Sequence, residues 1–148
     1  MPYRKLAFKS FNVFDDSLAI LKAHSDHQTA NSFQIQSILQ GQSPNITTVR
    51  PVQYFDLHSL WLGCVVASQT GLLVSPCTLE FTPYKVKGAG PTPAKKRCAF
   101  TGGAALQLCS FPSTFSRLEA VAVGFADVAT LNITTVLELD DVKGITYQ

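Results

Sequence analysis

Apolar residues recur mostly at every second position along several short segments of this chain, and this pattern constrains the fold more than any other feature. Leu118 to Phe125 and Thr130 to Leu139 show it clearly. A period of two places alternate side chains on opposite faces of a β-strand, whereas a helix needs a period of 3.6. These segments therefore predict strands that each bury one face.

Other segments extend the pattern along the chain. Tyr3 to Phe14 is an aromatic-rich segment that largely alternates with polar residues, which predicts an opening strand. Phe55 to Ala67 begins by alternating and continues as an apolar run, which is typical of a strand entering a buried region. After a turn at Ser68 to Gly71, the return strand is predicted over Leu72 to Tyr84. Further strands are predicted at Arg97 to Phe100, Ala104 to Leu108 and Leu137 to Tyr147.

About eight short strands and no long helical segment predict an all-β fold, an antiparallel β-sandwich. No repeat or linker divides the chain, so we expect residues 1–148 to form a single domain around one core. The chain is 46% hydrophobic and only 15% charged, against about 25% charged in an ordinary soluble domain. We therefore expect a surface built largely from uncharged polar residues.

Charge and hydropathy exclude two classes of partner. The chain has 12 Lys+Arg and 10 Asp+Glu, a net charge of +2, and no basic run longer than Lys95-Lys96-Arg97, so no nucleic-acid partner is expected. No stretch approaches about 18 consecutive apolar residues, so no transmembrane segment is expected. Carbohydrate and protein ligands remain.

Four cysteines, Cys64, Cys77, Cys98 and Cys109, are spaced too widely for the paired C-x-x-C motifs of structural zinc sites. Their even number predicts two disulfides and an oxidising compartment. Four reduced, buried cysteines are the alternative. Four cysteines allow three pairings, and the residues alone do not choose among them.

Two N-x-T triplets, which begin at Asn45 and Asn132, are acceptors for N-glycosylation. Together with the cysteines and the low charge, they predict a secreted, extracellular eukaryotic glycoprotein. Met1 to Lys9 lacks the apolar stretch of a signal peptide and is patterned like a strand. We therefore expect that Met1 is an initiator in place of a signal peptide that has been removed.

Segments from both ends and the middle of the chain, about half of it, carry a resemblance. Tyr3 to Val13 follows the pattern Tyr-x-x-Leu-x-(aromatic)-x-x-Phe-x-Val. Phe55 to Val65 and Pro76 to Tyr84 resemble a central cysteine-bearing strand and its partner, and Leu118 to Val123 with Leu139 to Tyr147 resemble two closing strands. The chain thus resembles small secreted ascomycete (fungal) proteins of jelly-roll type, which are similar in outline to galactose-binding-like carbohydrate-binding modules.

The resemblance implies a jelly-roll β-sandwich, a disulfide pairing and a class of function. It implies that Cys64 pairs with Cys77 as a link between neighbouring strands, which leaves Cys98 to pair with Cys109. It also implies binding of carbohydrate or cell-wall material. The chain departs from the pattern at Trp61, where Tyr or Phe is expected, and in its second pair of cysteines.

Jelly-roll modules of this outline often carry a structural calcium ion near the first and last strands. The resemblance therefore implies a calcium site at Asp140 and Asp141, with Asp15 and Asp16 from the opening segment. Calcium needs six to eight oxygen ligands. A tight closing turn with solvated carboxylates explains the same residues, and no other cofactor is expected.

Sugar binding uses aromatic rings that stack on sugar faces. Tyr54, Tyr84 and Trp61 are the candidate rings. Trp61 lies within an apolar run, which favours a core position. Tyr54 and Tyr84 have polar neighbours and are the better candidates for exposed rings.

Catalysis is not expected. Asp56 and His58 would share one face of a strand, but Ser59 would point to the other, so no Ser-His-Asp set is formed locally. A glycosidase needs two paired carboxylates, and nothing in the sequence pairs any of the ten acidic residues, which favours ordinary surface carboxylates.

We therefore expect a secreted, non-catalytic protein that binds carbohydrate or cell-wall material. The alternatives are a fungal effector or surface protein that binds a host or cell-surface protein, and a polysaccharide-active enzyme.

Overall fold

The structure is a computed structural model that describes residues 2–3, 6–9, 12–15, 28–33, 44–68, 71–126 and 135–148. For residues 2–3, 12–15, 28–33, 67–68 and 71–72, only the backbone is described. The described residues contain no helix with the length and apolar character that crossing a membrane requires.

The described residues form twelve strands, six of them with only two to four residues. All strand pairs are antiparallel. The strands are β1 (Pro2–Tyr3), β2 (Leu6–Lys9), β3 (Asn12–Asp15), β4 (Gln28–Phe33), β5 (Asn45–Thr48), β6 (Tyr54–Ser68), β7 (Gly71–Val74), β8 (Cys77–Lys85), β9 (Lys96–Phe100), β10 (Gln107–Ser110), β11 (Leu118–Phe125) and β12 (Thr135–Tyr147).

The strands form one continuous sheet that curls into two layers. In layer A, β6 pairs with β12 on one side and with β7 and β10 on the other, and β4 and β3 follow β12. In layer B, β11 pairs with β5 and β8, and β2, β1 and β9 extend it. The layers join where Leu118 pairs with Phe55. The predicted all-β antiparallel fold is confirmed, and its two layers are those of a β-sandwich.

The core lies between the two layers. Buried residues alternate with more exposed ones along β8, as the period of a strand requires. Burying one such side chain contributes about 1.5–3 kcal/mol. The largest fully buried side chains come from both layers and from the loop before β11: Phe55, Phe81, Phe100, Phe115, Ile46, Leu57, Leu60, Leu62, Leu79, Leu118 and Leu137.

Both disulfides link layer A to layer B. Cys64 pairs with Cys77, and Cys98 pairs with Cys109, which confirms the pairing that the resemblance implies. The expected placement of the first bond between neighbouring strands is wrong, because β6 and β8 lie in different layers and do not pair. The second bond joins β9 of layer B to β10 of layer A. Closing loops of 13 and 11 residues contributes about 3 kcal/mol each in the chain-entropy model.

The predicted return strand is divided in the structure. β7 ends at Val74 and β8 begins at Cys77, because the chain passes from layer A to layer B at Ser75 and Pro76. Similarly, β10 begins later than predicted, since Gly102 and Gly103 adopt positive φ angles of 96° and 113° in the preceding loop.

β12 is one long strand where the sequence pattern predicts two overlapping segments. Its register with β6 shifts after Asp140, which pairs with Trp61, so that Lys143 pairs with Ser59. Asp141 lies in this irregular stretch with a positive φ of 45°. Such a bulge bends a strand and redirects its side chains. The last residues of β12 consequently run beside the first residues of β6.

Candidate functional site

The start of β6 and the end of β12 form a candidate binding surface at one end of layer A. Tyr54 pairs with Tyr147, and their rings stack with centroids 4.8 Å apart. Side chains two residues apart on β6 share a face, so the row from Tyr54 to His58 is about 13 Å long. We call this surface the Tyr54 face, and it consists of Tyr54, Asp56, His58, Arg117, Ile145 and Tyr147.

The carboxylate of Asp56 connects three elements of this face. Its Oδ2 accepts a hydrogen bond from the Tyr147 hydroxyl at 3.0 Å. Its Oδ1 accepts one from the backbone N–H of Arg117 at 2.9 Å. The hydrogen bond to Asp56 raises the pKa of Tyr147 above its ordinary value, because ionisation would remove the donor and bring two negative charges together. Asp56 thus fixes the position of its neighbours.

Arg117 is held in an uncommon backbone conformation just before β11. Its φ is 51°, in the left-handed region, where a residue other than glycine carries a strain of about 1 kcal/mol or more. The N–H group of Arg117 is bound by Asp56, and its carbonyl oxygen accepts the N–H of Val86 at 3.0 Å. Both backbone polar groups are therefore fixed, while the residue itself remains exposed.

An open cleft of about 240 Å³ lies beside Tyr54. Its far wall is a turn in which the N–H of Ala89 donates to the carbonyl of Val86 at 3.0 Å. Gly88 occupies this turn with a φ of 83°, a conformation that glycine adopts without strain. We call it the Tyr54 cleft, and its lining residues are Tyr54, Val86, Lys87, Gly88, Ala89 and Arg117.

A second open cleft, of about 340 Å³, continues along β6 from Asp56. The half-buried ring of Phe111 forms part of its wall and packs edge-on against Phe81 and at a tilt against Phe115. We call it the His58 cleft, and its lining residues are Asp56, Leu57, His58, Phe111, Pro112, Ser113 and Phe115. The two clefts follow one another along the same strand.

Of the three candidate rings, Tyr54 lines a cleft of this surface. Tyr84 is 50% exposed on β8 of layer B and lines neither cleft. Trp61 is partly buried and packs against the core, as its apolar neighbours predict. Tyr54 and Tyr84 therefore do not line the same cleft.

Three carboxylates that were expected at the surface are buried, and that expectation is wrong for them. Glu138, Asp140 and Asp141 are 3%, 8% and 7% exposed. They lie on β12, which has β6 on one side and β4 on the other, and Val136, Leu137 and Leu139 of the same strand are buried as well. Oε2 of Glu138 has no hydrogen-bond partner among the side chains that the structure describes, and burial raises the pKa of this residue to about 7.

Asp56 and His58 both line the His58 cleft. Both carboxylate oxygens of Asp56 already accept hydrogen bonds, from Tyr147 and from Arg117. Asp56 therefore fixes the Tyr147 hydroxyl and the backbone of Arg117 in position. The expectation that Asp56, His58 and Ser59 do not form a triad stays a prediction.

The calcium site implied by the resemblance stays a prediction. Asp140 and Asp141 are adjacent, and Oδ2 of Asp141 lies 3.6 Å from the ammonium group of Lys143. Asp15 lies on β3 with only its backbone described, and Asp16 lies outside the described residues. Within the described ranges, no group of three or more His, Cys, Asp or Glu residues is placed to hold a metal ion. Two carboxylates supply at most four of the six to eight oxygens that calcium needs, so the predicted site also depends on Asp15 and Asp16.

The predicted glycosylation site at Asn45 is the first residue of β5 and is partly exposed. The hydroxyl of Thr47, the third residue of this triplet, donates to the carbonyl oxygen of Glu119 at 3.1 Å. Asn132, the second predicted site, lies outside the described residues.

Sequence reasoning did not identify Arg117, Lys87 or Tyr147 as site residues. Arg117 and Lys87 lie in loops, where no periodic pattern indicates which residues will meet. Tyr147 reaches the site only because the end of β12 pairs with the start of β6. Asp56 and His58 alternate with the apolar residues Phe55 and Leu57, and this was the one local pattern that indicated a shared face.

No protein-family model matches the chain, and no curated protein or solved structure matches it either. The resemblance to small secreted fungal proteins therefore stays a prediction. Within the described residues, the Tyr54 face is the surface whose chemistry best suits a ligand.

Proposed function

We propose that the protein is a non-catalytic binding protein whose Tyr54 face takes carbohydrate or cell-wall material. The observation that carries this proposal is the Tyr54–Tyr147 stack beside Arg117 at an open cleft. Aromatic rings pack against the apolar faces of sugars, and guanidinium groups donate hydrogen bonds to their oxygens. The cleft brings both kinds of group together.

The rigidity of the face supports this proposal. Asp56 holds Tyr147 and the backbone of Arg117, and the stack holds Tyr54. A surface that is already ordered loses less conformational entropy when it binds a ligand. Flexible polysaccharides pay an ordering cost of their own, so a fixed protein surface favours their binding.

The size and shape of the clefts favour an extended ligand. Their volumes of about 240 and 340 Å³ are at or below the lower end of the roughly 300–1,000 Å³ of sites that enclose a small molecule. They are open and follow one another along about 13 Å of β6. A chain of sugars that crosses the Tyr54 face fits this arrangement better than one enclosed molecule does.

The placement of the carboxylates supports a role without catalysis. A glycosidase acts through two carboxyl groups that flank the scissile bond. Glu138, whose pKa is raised, is only 3% exposed and lines neither cleft. Asp56 has both oxygens engaged. Among the described residues, Asp56 is the one carboxylate that lines either cleft, so no pair of carboxyl groups flanks a ligand there.

We also infer that the protein is secreted and glycosylated. Two disulfides are compatible with an extracellular, oxidising environment. The partial exposure of Asn45 supports a glycan at this position. A fungal origin rests on the resemblance of the sequence alone.

A protein ligand, the main alternative, calls for a contiguous apolar patch. Leu73 and Leu108 are each 54% exposed and would be natural members of one. Leu108 pairs with Trp61 and Leu73 with Val66, and these two residues of β6 are an odd number apart. The two leucines therefore point to opposite faces of layer A and do not join into one patch. The described residues therefore offer no patch built on these two leucines, and a protein ligand stays the main alternative.

A glycan array followed by affinity electrophoresis in polysaccharide gels tests the proposal. We expect binding to at least one polysaccharide, and Tyr54→Ala should weaken it by about tenfold or more, since stacking on a ring contributes about 1–2 kcal/mol. Tyr84→Ala is the matched control, because it removes an exposed tyrosine from layer B and should leave affinity unchanged. Absence of binding to every glycan, or loss of binding in Tyr84→Ala but not in Tyr54→Ala, would contradict the proposal.

A further inference from the structure

We propose that the Tyr54 cleft selects acidic saccharides, those that carry carboxylate or sulfate groups, over neutral ones. This inference rests on the proposed function and deepens it by naming the class of ligand. It follows from the charges of the residues that line the cleft.

Among the residues that the structure describes, two cations and no carboxylate line the Tyr54 cleft. Arg117 and Lys87 are exposed, and the other lining residues are uncharged. Asp56 is the nearest carboxylate in the hydrogen-bond network, and its oxygens are held by Tyr147 and by the backbone of Arg117. Glu119 is exposed on β11 but does not line the cleft. An acidic sugar adds a negative charge beside these two cations, whereas a neutral sugar does not.

The backbone geometry fixes the origin of the Arg117 side chain. Its N–H and carbonyl groups are both hydrogen-bonded, to Asp56 and to Val86, so the left-handed conformation is maintained when the cleft is empty. A guanidinium group presents parallel N–H donors that match the two oxygens of a carboxylate or sulfate. Lys87 contributes a second positive charge from the turn on the other wall.

The presence of Tyr54 in the same cleft as these two charges supports a sugar as the group that carries the anion. Tyr54 lines the same cleft as Arg117 and Lys87, and its ring is held by the stack with Tyr147. A ring that packs on a sugar face places the acidic substituent of that sugar near the cations. An acidic peptide would use the same two charges but would gain less from a rigid aromatic platform.

Affinity electrophoresis and calorimetry with four soluble probes test the inference. The probes are polygalacturonate, a sulfated galactan, a neutral galactan and poly-glutamate. We expect the two acidic polysaccharides to bind at least about tenfold more tightly than the neutral one, with affinity that falls as salt rises. Lys87→Gln and Arg117→Gln should each weaken acidic binding by about tenfold, because charge-assisted hydrogen bonds are lost. Arg117→Lys keeps the charge and should recover part of the affinity.

Lys96→Gln provides the control, because it removes the same charge from β9, outside the cleft, and should leave binding unchanged. Thermal unfolding of each variant confirms that the fold is intact. Equal binding of neutral and acidic galactans, both abolished by Tyr54→Ala, would overturn the inference but leave the proposed function standing. Binding of poly-glutamate as tight as that of polygalacturonate would also overturn it, since the site would then be a simple cation patch. Failure of every polysaccharide would overturn the proposed function itself.

Discussion

The carboxyl group of Glu138 is buried, so its ionisation in the folded protein is unfavourable. It is 3% exposed on β12, opposite Gly63 of β6, and its Oε2 has no hydrogen-bond partner within the described part of the chain. Burial of an ionised carboxylate without a partner is unfavourable, so the group holds its proton to a higher pH. The pKa of Glu138 is accordingly raised to about 7.

The raised pKa predicts that the protein loses stability as pH rises from about 4.5 to 7. Below the ordinary pKa of 4.5, the carboxyl group is protonated in both the folded and unfolded states, so Glu138 does not lower the free energy of unfolding. As pH rises toward 7, the unfolded state ionises first, and the free energy of unfolding falls by about 3 kcal/mol at most. Urea unfolding at pH 5, 6, 7 and 8 measures this slope.

Glu138→Gln should remove most of the slope, because the amide does not ionise. Glu119→Gln is the control, since Glu119 is exposed and its loss should leave the slope in place. Glu80 does not interfere: hydrogen bonds from Arg97 and Lys95 lower its pKa, so its contribution is lost only as pH falls below 4.5. An unchanged slope in Glu138→Gln would show that other groups cause it.

Gly144 is required by a close approach of two backbones. A methyl group at this position would overlap the carbonyl oxygen of Asp56. Gly144→Ala should therefore lower the free energy of unfolding by about 1–3 kcal/mol and weaken ligand binding, because the displaced residue is the one that fixes Arg117. Chemical denaturation and affinity electrophoresis measure the two effects.

Gly124→Ala is the matched control on β11, because a methyl group there meets no atom within 4 Å. Its effect on stability should stay within about 0.5 kcal/mol. Equal effects of the two substitutions would contradict the proposed clash.

At the level of strands, β10 depends on a disulfide more than its neighbours do. It pairs only with β6 among the described strands, and Cys109 ties it to Cys98 of β9 in layer B. We expect the double substitution of Cys98 and Cys109 by serine to cost about 3 kcal/mol and to increase hydrogen exchange in Gln107–Ser110. Exchange measured by mass spectrometry should change less in β11, which has partners on both sides.

Replacing Cys64 and Cys77 by alanine should cost more than replacing the second pair. Cys64 and Cys77 are both buried in the core, whereas Cys98 of the second pair is only partly buried, so truncation of the first pair leaves the larger cavity in addition to the lost cross-link. If β10 kept its protection in the Cys98 and Cys109 variant, the disulfide would not be what anchors that strand.

The sequence predicted strands best where one face is buried and the other is solvated. The interval Leu118 to Phe125 is β11 to the residue, because its alternation starts and stops with the strand. The pattern was less informative for β12, whose residues from Thr135 to Val142 are all buried. Burial on both faces removes the polar half of the alternation, so the burial of Glu138 and Asp140 had no local signal.

The candidate site was predictable only in part, for a similar reason. Tyr54 has polar neighbours on its own strand, and these indicated an exposed ring. Arg117 meets it through the loop before β11, and Lys87 through the loop after β8. Contacts between distant loops depend on how the layers are joined, which no short segment of sequence reports.

For the molecule as a whole, the predicted secretory route can be tested by expression behind an added signal peptide in a eukaryotic host. We expect two N-linked glycans, with Asn45→Gln losing one of them, as measured by gel mobility before and after endoglycosidase. Thr47→Ser keeps an acceptor triplet and should keep the glycan. An unmodified protein in the medium would contradict the predicted glycosylation while leaving secretion supported.

β12 lies between β6 and β4, yet it is the last of the described strands to be synthesised. All four cysteines leave the ribosome before Thr135 does, so both disulfides can close while the middle of layer A is still missing. Until Tyr147 emerges, β6 and β4 present open strand edges, which attract other strands. Premature termination within β12 would therefore remove the centre of a layer and one half of the aromatic stack, rather than trim an edge of the molecule.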